Sequence, residues 1–254
     1  MAALADDPTG SRLGLRLPGG RVVPDTDGAP ALWLSDEAVD GRVLDELHAD
    51  VGRTGLWPVA LNREGFTQPV SPNWPPAPFD ADAVLAGWST RCARRGTDHE
   101  YDGCETCEAV AQIPRSLPGG SFAADRDQDP GRTAAFVARG QLAYAPYLGL
   151  VACARSADIP TALGWDGPAN RHDHIGQYSA VLGKWEESYG ARVVALFGAS
   201  LVCSVARPPR SIDQALGLVA EQRAFNPEFA GQCESVTLHA ASLVGTSLWN
   251  FWWD

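Results

Sequence analysis

The stretch GARVVALFGASLVCSVA, residues 190–206, decides the fold. Arg192 to Phe197 and Leu201 to Ala206 are two strand-like runs, and Gly198-Ala199-Ser200 between them reverses the chain, so the stretch predicts a hairpin. Working back from it, Tyr178, Val181, Leu182, Trp185 and Tyr189 recur at helical spacing and stop at Gly190, which predicts a helix closed by that glycine. Asp158 to Trp165 reads as a short helix ended by Gly167 and Pro168, and Tyr147 to Ala154 as a strand. Working forward, Ser211 with Gln214 forms a capping box ahead of Ile212, Ala215, Leu216, Val219 and Ala220. Val236, His239, Ala240, Leu243 and Val244 mark a last helix, and Leu248 to Trp253 a last strand. This order predicts an α+β fold with a mixed or antiparallel sheet and helices packed on one side of it.

The N-terminal part is less regular. Residues 1–10 have little to bury, and Leu13 to Leu17 alternates like a strand that turns at Pro18-Gly19-Gly20 into Arg21-Val22-Val23. Ala31 to Leu34 reads as a strand, and Ser35-Asp36-Glu37 as capping residues for a helix through Val43, Leu44, Leu47 and Val51 that ends at Gly55. Leu56 to Leu61 reads as a buried strand. Five prolines between positions 66 and 80 rule out regular structure there, and Ala81 to Arg91 fits a helix with Val84, Leu85 and Trp88 on one face. Residues 92–130 are polar and punctuated by glycine and proline. They divide the chain into a smaller N-terminal α+β half (1–91), a connecting loop (92–130) and a C-terminal α+β domain (131–254). The two-sided apolar character of the last strand predicts a central place for it.

The chain has 254 residues, is 45% hydrophobic and 20% charged, and needs no disulfide staples at this size. Its 31 acidic and 20 basic residues give a formal charge of −11, which repels phosphate backbones and anionic membranes and leaves room for a protein partner with a basic surface. No basic-then-apolar leader opens the chain, and its longest apolar runs fall far short of a membrane helix, so a cytoplasmic setting is expected. There, six cysteines are thiols or metal ligands.

Several motifs together resemble the domain-of-unknown-function family 4253. They are IPTALGW (159–165), LGKWEESYGARVV (182–194), SVARPP (204–209), AEQRAF (220–225) and the terminal WNFWWD (249–254). The resemblance covers the last ~110 residues, and GLWP (55–58) is similar to longer members. Members tend to carry Cys-Pro-Asp after the Ala-Phe pair, where this chain has Asn226-Pro227-Glu228, so no thiol role carries over. The resemblance implies no chemistry.

Three sets of residues are candidates for chemistry or binding. Cys104-Glu105-Thr106-Cys107 is a C-x-x-C, and with Cys92 and His99 it offers a Cys₃His set for a structural zinc; the alternative is a reduced pair in a surface loop. His172-Asp173-His174 offers Asp173 and His174 as acid/base groups, with Glu186 a further candidate, although a solvated turn and a helix-face carboxylate explain them as simply. Glu186 near Arg192 reads equally as a structural ion pair. Trp249, Trp253 and Asp254 form the third set, a ligand platform weighed against plain core packing. Ser200, in the hairpin turn, lacks the G-x-S-x-G frame, and no phosphate-cradling glycine loop occurs. The function expected from these residues is a non-catalytic binding, regulatory or immunity-type protein. The competing reading is an enzyme acting on a small molecule or peptide in a cleft between the two halves, with a structural zinc.

Overall fold

The computed structural model describes residues 1–63, 66, 79–98, 128–168, 174–227 and 235–253, with side chains of the helix that ends at Asp98 described as far as residue 89. The hairpin forms as its sequence predicts: β5 (Ala191–Phe197) and β6 (Ser200–Val205) pair antiparallel around Gly198-Ala199. Around it stand α1 (Ala2–Asp6), β1 (Gly20–Pro24), β2 (Pro30–Ser35), α2 (Gly41–Thr54), β3 (Leu56–Leu61), α3 (Ala81–Asp98), α4 (Pro130–Gln141) and β4 (Tyr147–Ala152). Then come α5 (Ile159–Ala162), α6 (Ile175–Tyr189), α7 (Ile212–Phe225), α8 (Val236–Leu243) and β7 (Leu248–Trp252). Helix α6 ends at Gly190, whose φ of 60° lets its N–H turn back to the Glu186 and Trp185 carbonyls. Ser211 caps α7 through the Gln214 N–H, as the capping box requires.

One sheet of seven strands, in the order β1-β2-β4-β3-β5-β6-β7, joins the two halves of the chain. Strand β4 of the C-terminal half lies between β2 and β3 of the N-terminal half, antiparallel to both. Every neighbouring pair is antiparallel except β3 and β5. The parallel pair is short: only Ala60–Ala195 and Leu61–Leu196 are in register. Pro58 has no N–H to give to a ladder, and nearer their N-terminal ends the two strands part.

Several expectations are corrected. Helices cover both faces of the sheet, not one. One face carries α3, α6, α7 and α8 over a core that includes Trp88, Tyr178, Trp185, Phe225, Phe251 and Trp253. The other carries α1, α2 and α4 over Leu4, Leu44, Leu47, Ala134, Val194 and Val202. Two-sided burial is why β3 and β6 are buried at every residue. The last strand is at the edge of the sheet, not its centre. The first hairpin is β1–β2, turning at residues 25–29, whereas Leu13 to Leu17 forms no strand. The first residues are helical, and Leu4 is buried there. Asp40, not the acidic run before it, caps α2 by accepting the Arg42 N–H. Helix α3 runs on to Asp98, so Cys92 is helical, and α4, capped by Asp129, was not anticipated. Among the described residues no helix is long and apolar enough to cross a membrane.

Candidate functional site

The structure separates the acid/base candidates. His174 caps the first turn of α6, its Nδ1 accepting the Gly176 N–H at 3.1 Å with Phe79 packed edge-on against the ring. Glu186 sits in the last turn of the same helix. Twelve residues of helix put roughly 18 Å between them, so they do not act on one atom. Asp173 lies outside the described residues, as do His99, Cys104, Cys107 and Asp254, and nothing is described of the Cys92 side chain. Among the described residues no three His, Cys, Asp or Glu side chains converge as metal ligands.

Glu186 belongs to a polar cluster where β3 and β5 part. Its Oε2 accepts the Ser156 hydroxyl at 2.9 Å and the Ala157 N–H at 3.3 Å, while Ser156 Oγ accepts the Val193 N–H at 3.3 Å. The serine thus supplies the acceptor that Val193 does not find on β3. Arg192 lies with its guanidinium carbon 5.2 Å from the centre of the Trp57 ring, and the Trp57 indole donates to the Cys153 carbonyl at 3.0 Å. Burial lowers the pKa of Arg192, opposed by the charges of Glu186 and Asp129. His48 is buried beside it, and burial with the Arg192 charge pushes its pKa down to about 3, so the ring is neutral. The cysteine thiols nearby are inert by the same cause: burial pushes Cys153 up to about 12 and raises Cys203 beyond that.

A second buried polar set links α7 and α8. Arg223 Nε donates to His239 Nδ1 at 3.4 Å, and the other nitrogen of His239 meets Gln222 Oε1 at 3.1 Å. All three side chains are fully buried, and His239 is the core histidine that its place on the apolar face predicts.

The terminal aromatics divide by face. Trp249, Phe251 and Trp253 point into the core, where Phe251 stacks on Trp185 with centroids 5.6 Å apart and Trp253 meets Trp165, Tyr178 and Phe225 edge-on. Trp249 and Trp253 are therefore packing residues. Trp252 faces the other way and is 45% exposed. The register places Ser200 opposite Trp252, and Phe197 opposite Ser200, so the three share one face. Tyr144, 70% exposed, stacks on Phe197 at 6.2 Å and 17°. A row of Tyr144, Phe197, Ser200 and Trp252 thus runs across one end of the sheet to the β7 edge, its aromatic rings interrupted by a small serine.

That edge is open. The Trp253 N–H bonds the Ala199 carbonyl and the Val205 N–H the Ser247 carbonyl, so odd-numbered residues of β7 face β6 and the backbone groups of Leu248, Asn250 and Trp252 face outward. The carbonyl of Trp252 accepts the side-chain amide of Asn226 at 2.8 Å. Sequence reasoning weighed Trp252 with the other terminal aromatics as a ligand platform and favoured core for all of them, and it missed Tyr144 and the part played by Asn226. Asn250, a polar residue sharing a face with Leu248 and Trp252, was the available signal that this face meets solvent.

A shallow hollow of about 200 Å³ is lined by Arg16, Val43, Glu46, Leu47 and Asp50. No curated protein and no solved structure matches this chain. Residues 147–254, from the first residue of β4 to the chain's last, match the family model described as domain of unknown function DUF4253.

Proposed function

We propose that the protein is a non-catalytic binding module that takes an extended, basic segment of a partner protein on the β7 edge. The observation that carries this reading is the half-exposed Trp252 ring standing on an edge strand whose outward Leu248 and Asn250 backbone groups pair with no other strand among the described residues. Strand addition draws affinity from main-chain bonds and selectivity from alternate side chains. Trp252 with Tyr144 and Phe197 offers faces on which Arg or Lys side chains can lie. The formal charge of −11 favours such a partner and speeds its approach. The setting that goes with this reading is the cytoplasm, where Cys153 and Cys203 stay as free thiols. A labelled Arg-Val-Arg-Val-Arg-Val peptide, followed by fluorescence anisotropy, tests it. Binding that saturates and weakens about tenfold or more in Trp252→Ala supports the reading. Equal binding to both proteins contradicts it.

The cluster where β3 and β5 part favours a second reading, an enzyme whose site lies between the two halves. Glu186, held by Ser156 and Ala157 within reach of the Arg192 charge, is then the acid/base group. His174 has no part in it. A structural zinc held by Cys92, His99, Cys104 and Cys107 is compatible with either reading.

A further inference from the structure

Arg192 carries a guanidinium that the fold positions without pairing. Burial lowers its pKa, and among the described residues no hydrogen bond or ion pair holds any of its side-chain N–H donors. The Trp57 ring backs it, with the guanidinium carbon 5.2 Å from the ring centre. The carboxylates whose charges reach it, Glu186 and Asp129, are engaged elsewhere. Glu186 accepts the Ser156 hydroxyl and the Ala157 N–H, and Asp129 accepts the Gly131 N–H at 2.7 Å. A half-buried cation with no partner in contact is costly, and the planar fork of a guanidinium matches the two oxygens of a carboxylate.

Two further features lie at the same place. His48 is 4% exposed, and neither of its ring nitrogens has a hydrogen-bond partner. The ring is neutral and within reach of the Arg192 charge, so one nitrogen is a buried donor with no acceptor. Gly131, in the first turn of α4, omits the side chain that would fill the gap beside them. A Cβ there would lie 3.2 Å from Asp129 Oδ1, 3.4 Å from a guanidinium nitrogen of Arg192 and 3.6 Å from the His48 carbonyl oxygen.

We propose that Arg192, with the His48 ring and the bare backbone of Gly131, forms a receptor for the carboxylate of a small monocarboxylic acid. The guanidinium fork takes both carboxylate oxygens, the Gly131 gap gives them room, and the imidazole N–H is a further donor. Glu186 and Asp129 set the charge of the ligand: their own carboxylates repel a doubly charged phosphate more than a single carboxylate. The site lies where β3 and β5 part, away from the β7 edge, and stands or falls without the docking reading.

Sodium acetate, titrated into the full chain at constant ionic strength with sodium chloride as the balance, tests the proposal. The Trp57 indole N–H and the Gly131 amide are followed by NMR, and their shifts are expected to saturate in the millimolar range. Arg192→Lys keeps a cation over Trp57 but loses the fork, so acetate binding weakens about tenfold or more. Gly131→Ala puts a methyl group into the gap, leaves Arg192 in place, and weakens binding by a similar factor. This second variant decides the matter should Arg192→Lys fail to fold. Shifts that never saturate, that chloride alone reproduces, or that persist unchanged in either folded variant overturn the proposal. Inorganic phosphate is expected to bind more weakly than acetate at pH 7, and tighter phosphate binding overturns the assignment to a carboxylate.

Discussion

The indole of Trp185 donates to Oε2 of Glu221 at 2.7 Å, while Lys184, its neighbour in sequence, donates to Oε1 at 2.7 Å and to Asp82 Oδ1 at 2.6 Å. One carboxylate on α7 thus ties α6 and, through the lysine, α3 into a single layer. Trp185 is fully buried, so its N–H has no water to fall back on. Glu221→Ala is expected to cost about 1–3 kcal/mol in urea unfolding through that orphaned donor. Glu221→Gln keeps an acceptor and costs less. Equal stability of Glu221→Ala and wild type would show that the contact contributes nothing.

The aromatic C-terminus separates packing from exposure at adjacent residues. Trp253 is 1% exposed and Trp252 is 45% exposed. Trp253→Ala is expected to destabilise by about 3–5 kcal/mol, Trp252→Ala by about 1 kcal/mol or less. A central last strand would predict an equally large loss at Trp252, and the edge position of β7 with the exposure of this ring explains the smaller one. Paired unfolding curves check the contrast, and a reversed order would contradict the face assignment.

His48 makes stability fall with acid. Its folded pKa of about 3 lies below the ordinary 6.5, so below pH 6.5 the unfolded chain binds a proton that the folded chain refuses. Its contribution is complete above pH 6.5 and is lost as pH falls toward 3, at roughly 1.4 kcal/mol per unit. His239, lowered to about 4 by burial and by Arg223, adds to the same limb. Between pH 7 and 4.5 the His48 share is about 2–3 kcal/mol. His48→Leu is expected to flatten the acid limb by that amount, and an unchanged pH profile would place the imidazole in contact with water.

The cysteine set makes its own prediction. If Cys92, His99, Cys104 and Cys107 hold zinc, the protein purified without a histidine tag carries one metal ion per chain, and the Cys104→Ser, Cys107→Ser double variant carries none. A metal-free wild type ends the idea.

Much of the C-terminal half was legible because its signals are local. Gly190, the Ser211–Gln214 box and the turn at Gly198 each mark a boundary through their own backbone chemistry. The N-terminal half was read less well: Leu13 to Leu17 alternates like a strand, yet the hairpin forms between β1 and β2, a tertiary choice that alternation alone does not make. The edge position of β7 was misread for a related reason. Apolar residues on both faces of Leu248 to Trp252 suggested two-sided burial, but Trp252 keeps its exposed face and β7 ends the order of the described strands. The separation of His174 from Glu186 was only partly implicit in the helix read from Tyr178 to Tyr189; its start at Ile175 puts twelve residues of helix between the two. The cluster at the parting of β3 and β5 joins Trp57, Ser156, Glu186 and Arg192 across 135 residues, and no local pattern announces such a meeting.

The central claim is that the β7 edge and the exposed ring of Trp252 receive a basic extended strand. Amide NMR spectra of the wild-type protein, recorded while the Arg-Val-Arg-Val-Arg-Val peptide is added, test it most directly. The account predicts shift changes at Leu248, Asn250, Trp252, Ser200 and Phe197, slowed exchange of the outward Asn250 N–H, and loss of both effects in Asn250→Pro. Changes confined to the Ser156–Glu186–Arg192 cluster, or none anywhere, would contradict it.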